Sequence, residues 1–188
     1  MRILLVSGSA RAASTNTAAL RTARDLADDG VFAVLHDDLA SVPAFNPGGD
    51  VDDPAVLPAA VQQLRAAIDA ADAVLFSTPE YAGALPGAFK NLLDWTVGAV
   101  PGLSGKPVGW LNVAAPGRGE GAHAELATVL GYVGASVVPG ACRRIPVGHD
   151  AVGPDGLIDD PVVRSALAET LTALAAALPS PPPPAAQA

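Results

Sequence analysis

Residues 2–16 constrain the fold of this chain more than any other stretch. A short apolar run at residues 2–7 leads into a loop of small and hydroxyl residues, and the loop leads into a segment from Thr17 that favours helix. A short apolar run bounded by glycine is typical of a buried parallel strand. The sequence therefore predicts a strand, a polar loop and a helix N-terminus, an arrangement that binds anions through backbone N–H groups and the helix dipole.

The polar loop has the side chains of a site for a single phosphate group. Ser9, Ser14, Thr15 and Asn16 offer hydrogen bonds, and the guanidinium of Arg11 can contact a phosphate in two places. The loop lacks G-x-x-x-x-G-K-[ST] and G-x-G-x-x-G, which excludes a Walker-type loop and the usual dinucleotide fingerprint. We therefore expect a mononucleotide phosphate, and the alternative is a capped strand-to-helix turn without a ligand.

Apolar strands alternate with helical segments along the chain. We predict strands at residues 2–7, 31–35, 73–76, 106–113 and 135–138, helices from Thr17 and at residues 54–70, 87–97, 122–133 and 161–178, and an irregular segment at 143–157. Asp53 is the expected cap of the second helix, with Pro54 in its first turn. This alternation predicts a doubly wound α/β domain with a mostly or wholly parallel sheet. Ligands bind such sheets at the carboxyl edge, where we expect loops 9–16, 78–84 and 115–119 to converge.

Composition bounds the class of protein. The chain has 188 residues, 50% hydrophobic and 16% charged, which suits one domain at residues 1–178. The Pro/Ala-rich tail at residues 179–188 is expected to be flexible. A net charge of −8 argues against nucleic acid as a partner.

The compartment is predicted from the cysteine count and from the apolar runs. The single cysteine, Cys142, is expected to fill space in the core and fits a reducing compartment. No signal peptide is visible, and no run approaches the roughly 18 apolar residues of a membrane span. We therefore expect a cytoplasmic protein with no membrane partner.

A second ligand loop follows the third predicted strand and begins Thr78-Pro79-Glu80-Tyr81. Pro79 fixes one φ angle, and Gly83 allows the backbone to approach a flat ligand. Tyr81 lies where it can pack against a planar heterocycle. The alternatives are that Tyr81 caps the core and that Glu80 is a solvated charge.

Two motifs resemble those of a known family. G-S-x-R-x-x-S-x-N at residues 8–16 resembles the opening motif of the NAD(P)H-dependent FMN reductases, a group that includes many quinone, azo-dye and chromate reductases. T-P-E-Y-x-G-x-L-P-G-x-F-K-N-x-x-D-W at residues 78–95 is similar to their second motif. The resemblance covers roughly residues 2–138. It implies a flavodoxin-like, doubly wound, five-stranded parallel sheet in the strand order 2-1-3-4-5, with helices on both faces.

The resemblance also implies which residues hold the cofactor FMN. The first loop would hold the phosphate, and the second and third loops would surround the ribityl chain and the ring. In the first loop the implied cofactor-binding residues are Ser9, Arg11, Ser14, Thr15, Asn16 and Thr17. In the second loop they are Pro79, Glu80, Tyr81, Ala82 and Gly83, and in the third they are Gly117 and Gly119. Many relatives have asparagine and serine at the positions of Ala82 and Ala84, so this chain lacks polar contacts near the ring.

The implied activity is hydride transfer from NADPH or NADH, through bound FMN, to a small-molecule acceptor such as free flavin, a quinone, an azo compound or a metal oxyanion. Arg118 is a candidate contact for the phosphates of the nicotinamide nucleotide, and the alternative is a solvated loop arginine. No side chain must act as an acid or base, so we assign no catalytic residue. The histidines His36, His123 and His149 have no ligand spacing, so we expect no metal site.

Two other functions remain open. One is a flavodoxin-like electron carrier, which binds FMN without oxidising NAD(P)H. The acidic charge of the chain suits a carrier, whereas the arginine in the first loop suits it less. The other is a flavin-free binding module of the same fold.

The third predicted helix is apolar on more than one face, which is more than packing against a sheet requires. Its apolar residues are Leu85, Phe89, Leu92, Leu93, Trp95 and Val97. The resemblance makes this segment part of a homodimer interface beside the flavin, with pairing of dimers into a homotetramer as a further possibility. The alternative is a helix that is fully buried in its own monomer.

Overall fold

Strands and helices alternate in the computed structural model, which describes residues 1–11, 13–49, 56–97 and 102–178. The strands are β1 (Arg2–Ser7), β2 (Phe32–His36), β3 (Ala73–Ser77), β4 (Pro107–Asn112) and β5 (Ser136–Arg144). The helices are α1 (Thr15–Asp25), α2 (Ala59–Asp69), α3 (Gly87–Asp94), α4 (Glu120–Tyr132) and α5 (Pro161–Ala176). In the described part of the chain, no helix is both long and apolar enough to cross a membrane.

The five strands form one sheet in the order β2-β1-β3-β4-β5, and every neighbouring pair is parallel. The predicted flavodoxin-like strand order is therefore confirmed. The registers place Ser7 beside Ser77, and Ser77 beside Leu111. The carboxyl ends of β1, β3 and β4 consequently lie side by side, and the loops that follow them leave the sheet at one edge.

The sheet has a hydrophobic core on each face, because successive residues of a strand point to opposite sides. Val6 and Val74 belong to the core that is shared with α2, α3 and α4. Ile3 and Leu75 belong to the core that is shared with α1 and α5. Burial on both faces explains why β1 and β3 are continuous apolar runs rather than alternating ones.

β5 is longer than predicted. The sequence indicated a strand at residues 135–138 and irregular structure from 143, because Pro139 and Gly140 interrupt the apolar run. In the structure, β5 pairs with β4 up to Arg144, with a register shift between Val108 and Trp110. An edge strand with a bulge tolerates proline. Gly109 makes the bulge possible, since a Cβ there would lie 2.5 Å from the Cβ of Ala141.

Several predicted helix boundaries are wrong by a few residues. α1 begins at Thr15 rather than Thr17, because Ser14 caps it. α2 begins at Ala59, after Pro58, and not at residue 54. Asp53 and Pro54, which were expected to open that helix, lie outside the described residues, as does the tail at residues 179–188.

The apolar residues of α3 are buried within the chain itself, from Leu85 to Trp95, and only Val97 is exposed, at 52%. The loop before α2 covers this helix. The side chains of Asn91 and Trp95 both donate hydrogen bonds to the carbonyl of Pro43, at 2.9 and 2.8 Å. The interpretation that the apolar faces of α3 require a second chain is therefore wrong, because the monomer supplies the partner surface.

Candidate functional site

Three loops meet at the carboxyl edge of the sheet: loop 1 (residues 8–14), loop 2 (78–86) and loop 3 (113–119). Loops 2 and 3, together with the first turn of α1 that follows loop 1, line a cavity of about 380 Å³, the central cleft. Six of the predicted site residues line it, namely Thr15, Asn16, Pro79, Glu80, Arg118 and Gly119. Thr78 and Ala115, which belong to the predicted ligand loops, also line it, as do Val113, Ala114 and Val147, which were not predicted. The volume lies within the range of roughly 300–1,000 Å³ that small-molecule sites occupy.

Loop 1 is held by a buried polar network at the ends of β1 and β3. The hydroxyls of Ser7 and Thr17 lie 2.8 Å apart, and the Ser77 hydroxyl donates to the side-chain carbonyl of Asn16 at 2.9 Å. The N–H of Gly8 donates to the carbonyl of Ser77 at 2.8 Å. The network fixes the first turn of α1 and leaves the side-chain nitrogen of Asn16 as a donor.

Two serines stabilise the turn that leads from loop 1 into α1. The Ser14 hydroxyl caps α1 by accepting from the N–H of Asn16 at 3.2 Å, and the Ser9 hydroxyl accepts from the N–H of Arg11 at 3.3 Å. Their side chains therefore shape the loop. The Arg11 side chain is exposed and forms no ion pair with the residues that the structure describes.

The predicted phosphate-binding residues do not all face the central cleft. Ser9, Arg11 and Thr17 line a neighbouring depression of about 400 Å³, on the side of the Arg21–Asp37 ion pair. Ser14 lines a third cavity, of about 510 Å³, between α1 and residues 152–156. Only Thr15 and Asn16, in the first turn of α1, reach the cleft itself. The first turn of α1 thus separates the central cleft from the two neighbouring cavities.

Loop 2 contains a tight turn at the rim of the cleft. The N–H of Tyr81 and the carbonyl of Ala84 bond at 3.1 Å, as do the N–H of Ala84 and the carbonyl of Tyr81. Both central residues have positive φ, 53° at Ala82 and 77° at Gly83, as in the turns that close β-hairpins. Tyr81 is 60% exposed. Tyr81 therefore does not cap the core. Tyr81, Ala82 and Gly83 lie beside the cleft rather than lining it.

Glu80 is neither a solvated charge nor a side chain that points freely into the cleft. Its carboxylate accepts a hydrogen bond from the N–H of Ala122, in the first turn of α4, at 3.0 Å. The first N–H groups of a helix have no partner within the helix, so a carboxylate there is favourable. Glu80 lines the cleft and joins loop 2 to the helix that begins at the end of loop 3.

Asn112, the last residue of β4, organises loop 3 and was not singled out from the sequence. Its side-chain oxygen accepts from the N–H of Ala114 at 3.0 Å, and its nitrogen donates to the carbonyl of Arg118 at 3.3 Å. An asparagine directly after a buried apolar strand is the signal that could have identified it. Gly119 precedes α4 and lines the cleft, whereas Gly117 lies exposed at the tip of the loop.

The N-terminus of α4 is also attached to β5. Arg144 donates two hydrogen bonds of 2.6 Å to the carboxylate of Glu120. This contact lowers the pKa of Glu120 and raises that of Arg144. Nearby, the indole N–H of Trp110 donates to Nδ1 of His123 at 2.8 Å, and burial lowers the pKa of that histidine. His123 is therefore a neutral acceptor at pH 7.

Cys142 has no reactive thiolate at neutral pH. Its thiol is half-buried against the core beside α4 and donates to the carbonyl of Val138 at 3.3 Å. Burial raises its pKa to about 11. Within the described ranges, no group of three or more His, Cys, Asp or Glu side chains is placed to hold a metal ion.

The sequence model of the family described as NADPH-dependent FMN reductase matches residues 1–150. The chain is similar to an NAD(P)H-dependent FMN reductase of Pseudomonas aeruginosa, 38% identical over 128 residues, 66% of this chain and 65% of that protein. It is also similar to a probable NADPH:quinone oxidoreductase 2 of Oryza sativa subsp. japonica, 37% identical over 97 residues, 50% of this chain and 47% of that protein. The chain thus spans about half to two thirds of the length of these curated relatives.

Among solved structures, the fold is similar to that of FerB, a flavoenzyme NAD(P)H:(acceptor) oxidoreductase from Paracoccus denitrificans. The TM-score is 0.74 at 26% sequence identity, and the match covers 92% of this chain and 94% of that one. The likeness therefore extends over most of the chain.

The left-handed conformation of Ala82 leads to a stability prediction. We expect Ala82→Asn to raise the free energy of unfolding by about 0.5–1 kcal/mol, because asparagine adopts this conformation at lower cost than alanine. Ala82→Val is expected to lower it, because a β-branched side chain is strained there. Urea unfolding followed by circular dichroism measures both changes. A lower midpoint for the asparagine variant would contradict the turn described here.

Proposed function

The chain belongs to the NADPH-dependent FMN reductase family, and from that premise we propose that it binds FMN in the central cleft. We propose further that it transfers hydride from NADPH or NADH, through FMN, to a small-molecule acceptor. Bound FMN would supply the hydride-accepting chemistry, and the protein would supply binding, orientation and electrostatics. The single cysteine supports our proposal that it acts in the cytoplasm.

The observation that carries this proposal is a cleft at the carboxyl edge of a doubly wound sheet, lined by loop 2, loop 3 and the first turn of α1. This edge is where such sheets bind nucleotides. The cleft has a helix N-terminus on one side, at Thr15 and Asn16, and an arginine on the other, at Arg118. In the described part of the chain, Arg118 forms no ion pair, so its charge is available to an anion.

The phosphate of FMN would bind at the first turn of α1. Helix N–H groups and the helix dipole favour an anion there, and the side-chain nitrogen of Asn16 adds a donor. Arg11 is proposed as the charged contact. Its guanidinium is exposed and free of an ion pair in the described residues, although it lines the depression next to the cleft.

The ring of FMN would lie between loops 2 and 3. Pro79 and Glu80 form one wall, and Ala114, Ala115 and Gly119 belong to the other. These residues offer mostly backbone and small apolar groups, which suit a flat heterocycle with polar edges. N–H groups near the ring would stabilise the negative charge that it gains on reduction. Tyr81 would stand at the open side, where the nicotinamide or the acceptor enters.

A visible spectrum of the protein tests the proposal. We expect purified protein incubated with FMN to retain the flavin after gel filtration, and we expect NADPH or NADH to bleach its absorption band without air or other proteins. Free FMN at the same concentration is the control. Flavin that stays oxidised after nucleotide addition would favour an electron carrier, and protein that stays colourless would favour a flavin-free module.

Substitution of Arg11 tests the phosphate site. We expect Arg11→Ala to weaken FMN binding about tenfold to hundredfold, since a hydrogen bond to a charged group contributes roughly 1.5–3 kcal/mol. Riboflavin, which lacks the phosphate, should bind both proteins equally. Arg24→Ala is the matched control, because Arg24 is an exposed arginine at the opposite end of α1, the helix that follows loop 1. Equal FMN affinity of Arg11→Ala and the unsubstituted protein removes Arg11 from the site.

We also propose that the chain forms a homodimer. The family resemblance supports this assembly, and so do the exposed side chains of Tyr81 and Val97, which flank the segment between loop 2 and the end of α3. Light scattering with size-exclusion chromatography is expected to give the mass of two chains, and a mass of four would indicate paired dimers. A single-chain mass at micromolar concentration argues against the proposal.

A further inference from the structure

Two glutamates join loop 2 to α4 by hydrogen bonds of opposite direction. In one bond the loop supplies the carboxylate, and in the other the helix does. Glu80, in the loop, accepts from the N–H of Ala122 in the helix at 3.0 Å. Glu125, in the helix, accepts from the N–H of Leu85 in the loop at 2.6 Å. Hydrogen bonds to a carboxylate are shorter and stronger than those between neutral groups. We call this pair of contacts the loop clasp.

Loop 2 and the first turn of α4 lie so close together that no side chain fits between their backbones at Gly121. A Cβ on Gly121, in the first turn of α4, would lie 1.8 Å from the carbonyl oxygen of Gly83 at the tip of loop 2. The turn around Ala82 and Gly83 therefore rests directly on the helix backbone. Ala82 is the strained residue of this turn, because a left-handed conformation at a residue other than glycine persists only where the surroundings determine it.

The loop clasp also connects the two walls of the central cleft. Loop 2 forms one wall, and loop 3 forms the other and continues into α4 at Glu120. The bond from Ala122 to Glu80 crosses between them. The distance between the walls is thus determined by the clasp as well as by the sheet.

We propose that Glu125 and Glu80 are positioning residues that set the width of the cleft for the planar ring of the cofactor. This proposal rests on the proposed function. The carboxylate of Glu125 acts through the backbone of loop 2. The carboxylate of Glu80, which lines the cleft, acts through α4. Walls held at the bound spacing before the ligand arrives reduce the cost of ordering the loop on binding.

Flavin titrations separate a positioning role from the phosphate site. We expect Glu125→Ala to raise the dissociation constants of FMN and riboflavin by the same factor, about tenfold, because both ligands carry the ring. Arg11→Ala, in contrast, should affect FMN alone. Glu125→Gln keeps an oxygen that can accept from Leu85 and should restore most of the affinity. Thr128→Ala is the control on the same helix, since Thr128 is exposed and its hydroxyl donates to the carbonyl of Ala124 within α4.

Hydrogen exchange tests the clasp in the protein without flavin. The amide of Leu85 should exchange at least about tenfold faster in Glu125→Ala, and the amide of Ala122 should do so in Glu80→Ala, because each of these two amides loses its carboxylate acceptor. Exchange elsewhere in the domain should stay unchanged. If Glu80 and Glu125 only stabilise the fold, their alanine variants should have a lower unfolding midpoint, but the folded variants should bind flavin as tightly as the unsubstituted protein.

The outcomes distinguish the two proposals. If the unsubstituted protein binds no flavin, the proposed function is wrong and the positioning role fails with it. If that protein binds flavin and Glu125→Ala and Glu80→Ala bind it equally well, the positioning role alone is overturned. Glu80→Ala is a second, independent variant, which decides the matter if Glu125→Ala does not fold.

Discussion

The carboxyl edge of this sheet depends on hydrogen bonds between hydroxyl and amide side chains that are excluded from water. Ser7, Thr17 and Ser77 are almost fully buried, as is Asn16, and a buried polar group without a partner is costly. Pairing Ser7 with Thr17 and Ser77 with Asn16 removes that cost only when β1, β3 and the first turn of α1 are correctly aligned. The network therefore selects one arrangement, whereas apolar packing alone would tolerate small shifts.

The architecture was predictable because the signals for it are local and repeated. Buried strands such as β1 and β3 are short apolar runs, and each is followed by a loop and a helix in the same order. The second sequence motif, at residues 78–95, was informative about the fold as well as about the site. Its first three residues line the cleft, while Asn91 and Trp95 near its end hold residues 43–45 over α3.

What the sequence did not reveal depends on contacts between distant segments. The roles of Glu80 and Glu125 need the approach of loop 2 to α4, which lies some forty residues away along the chain. The continuation of β5 past Pro139 needs a glycine in the neighbouring strand. The burial of α3 needs a loop whose sequence has no regular period. In each case tertiary packing between distant segments decided what the local sequence left open.

The bonds that shape the cleft and the groups that remain available for a ligand are largely distinct. Ser9, Ser14, Asn112 and the carboxylate of Glu80 are engaged within the protein. Arg11 and Arg118 form no ion pair in the described ranges, although the chain has a net charge of −8. Leaving cations unpaired beside a helix N-terminus is unfavourable for the protein alone. An anion bound at the proposed site would reverse that cost, which supports the proposal that this edge binds a ligand.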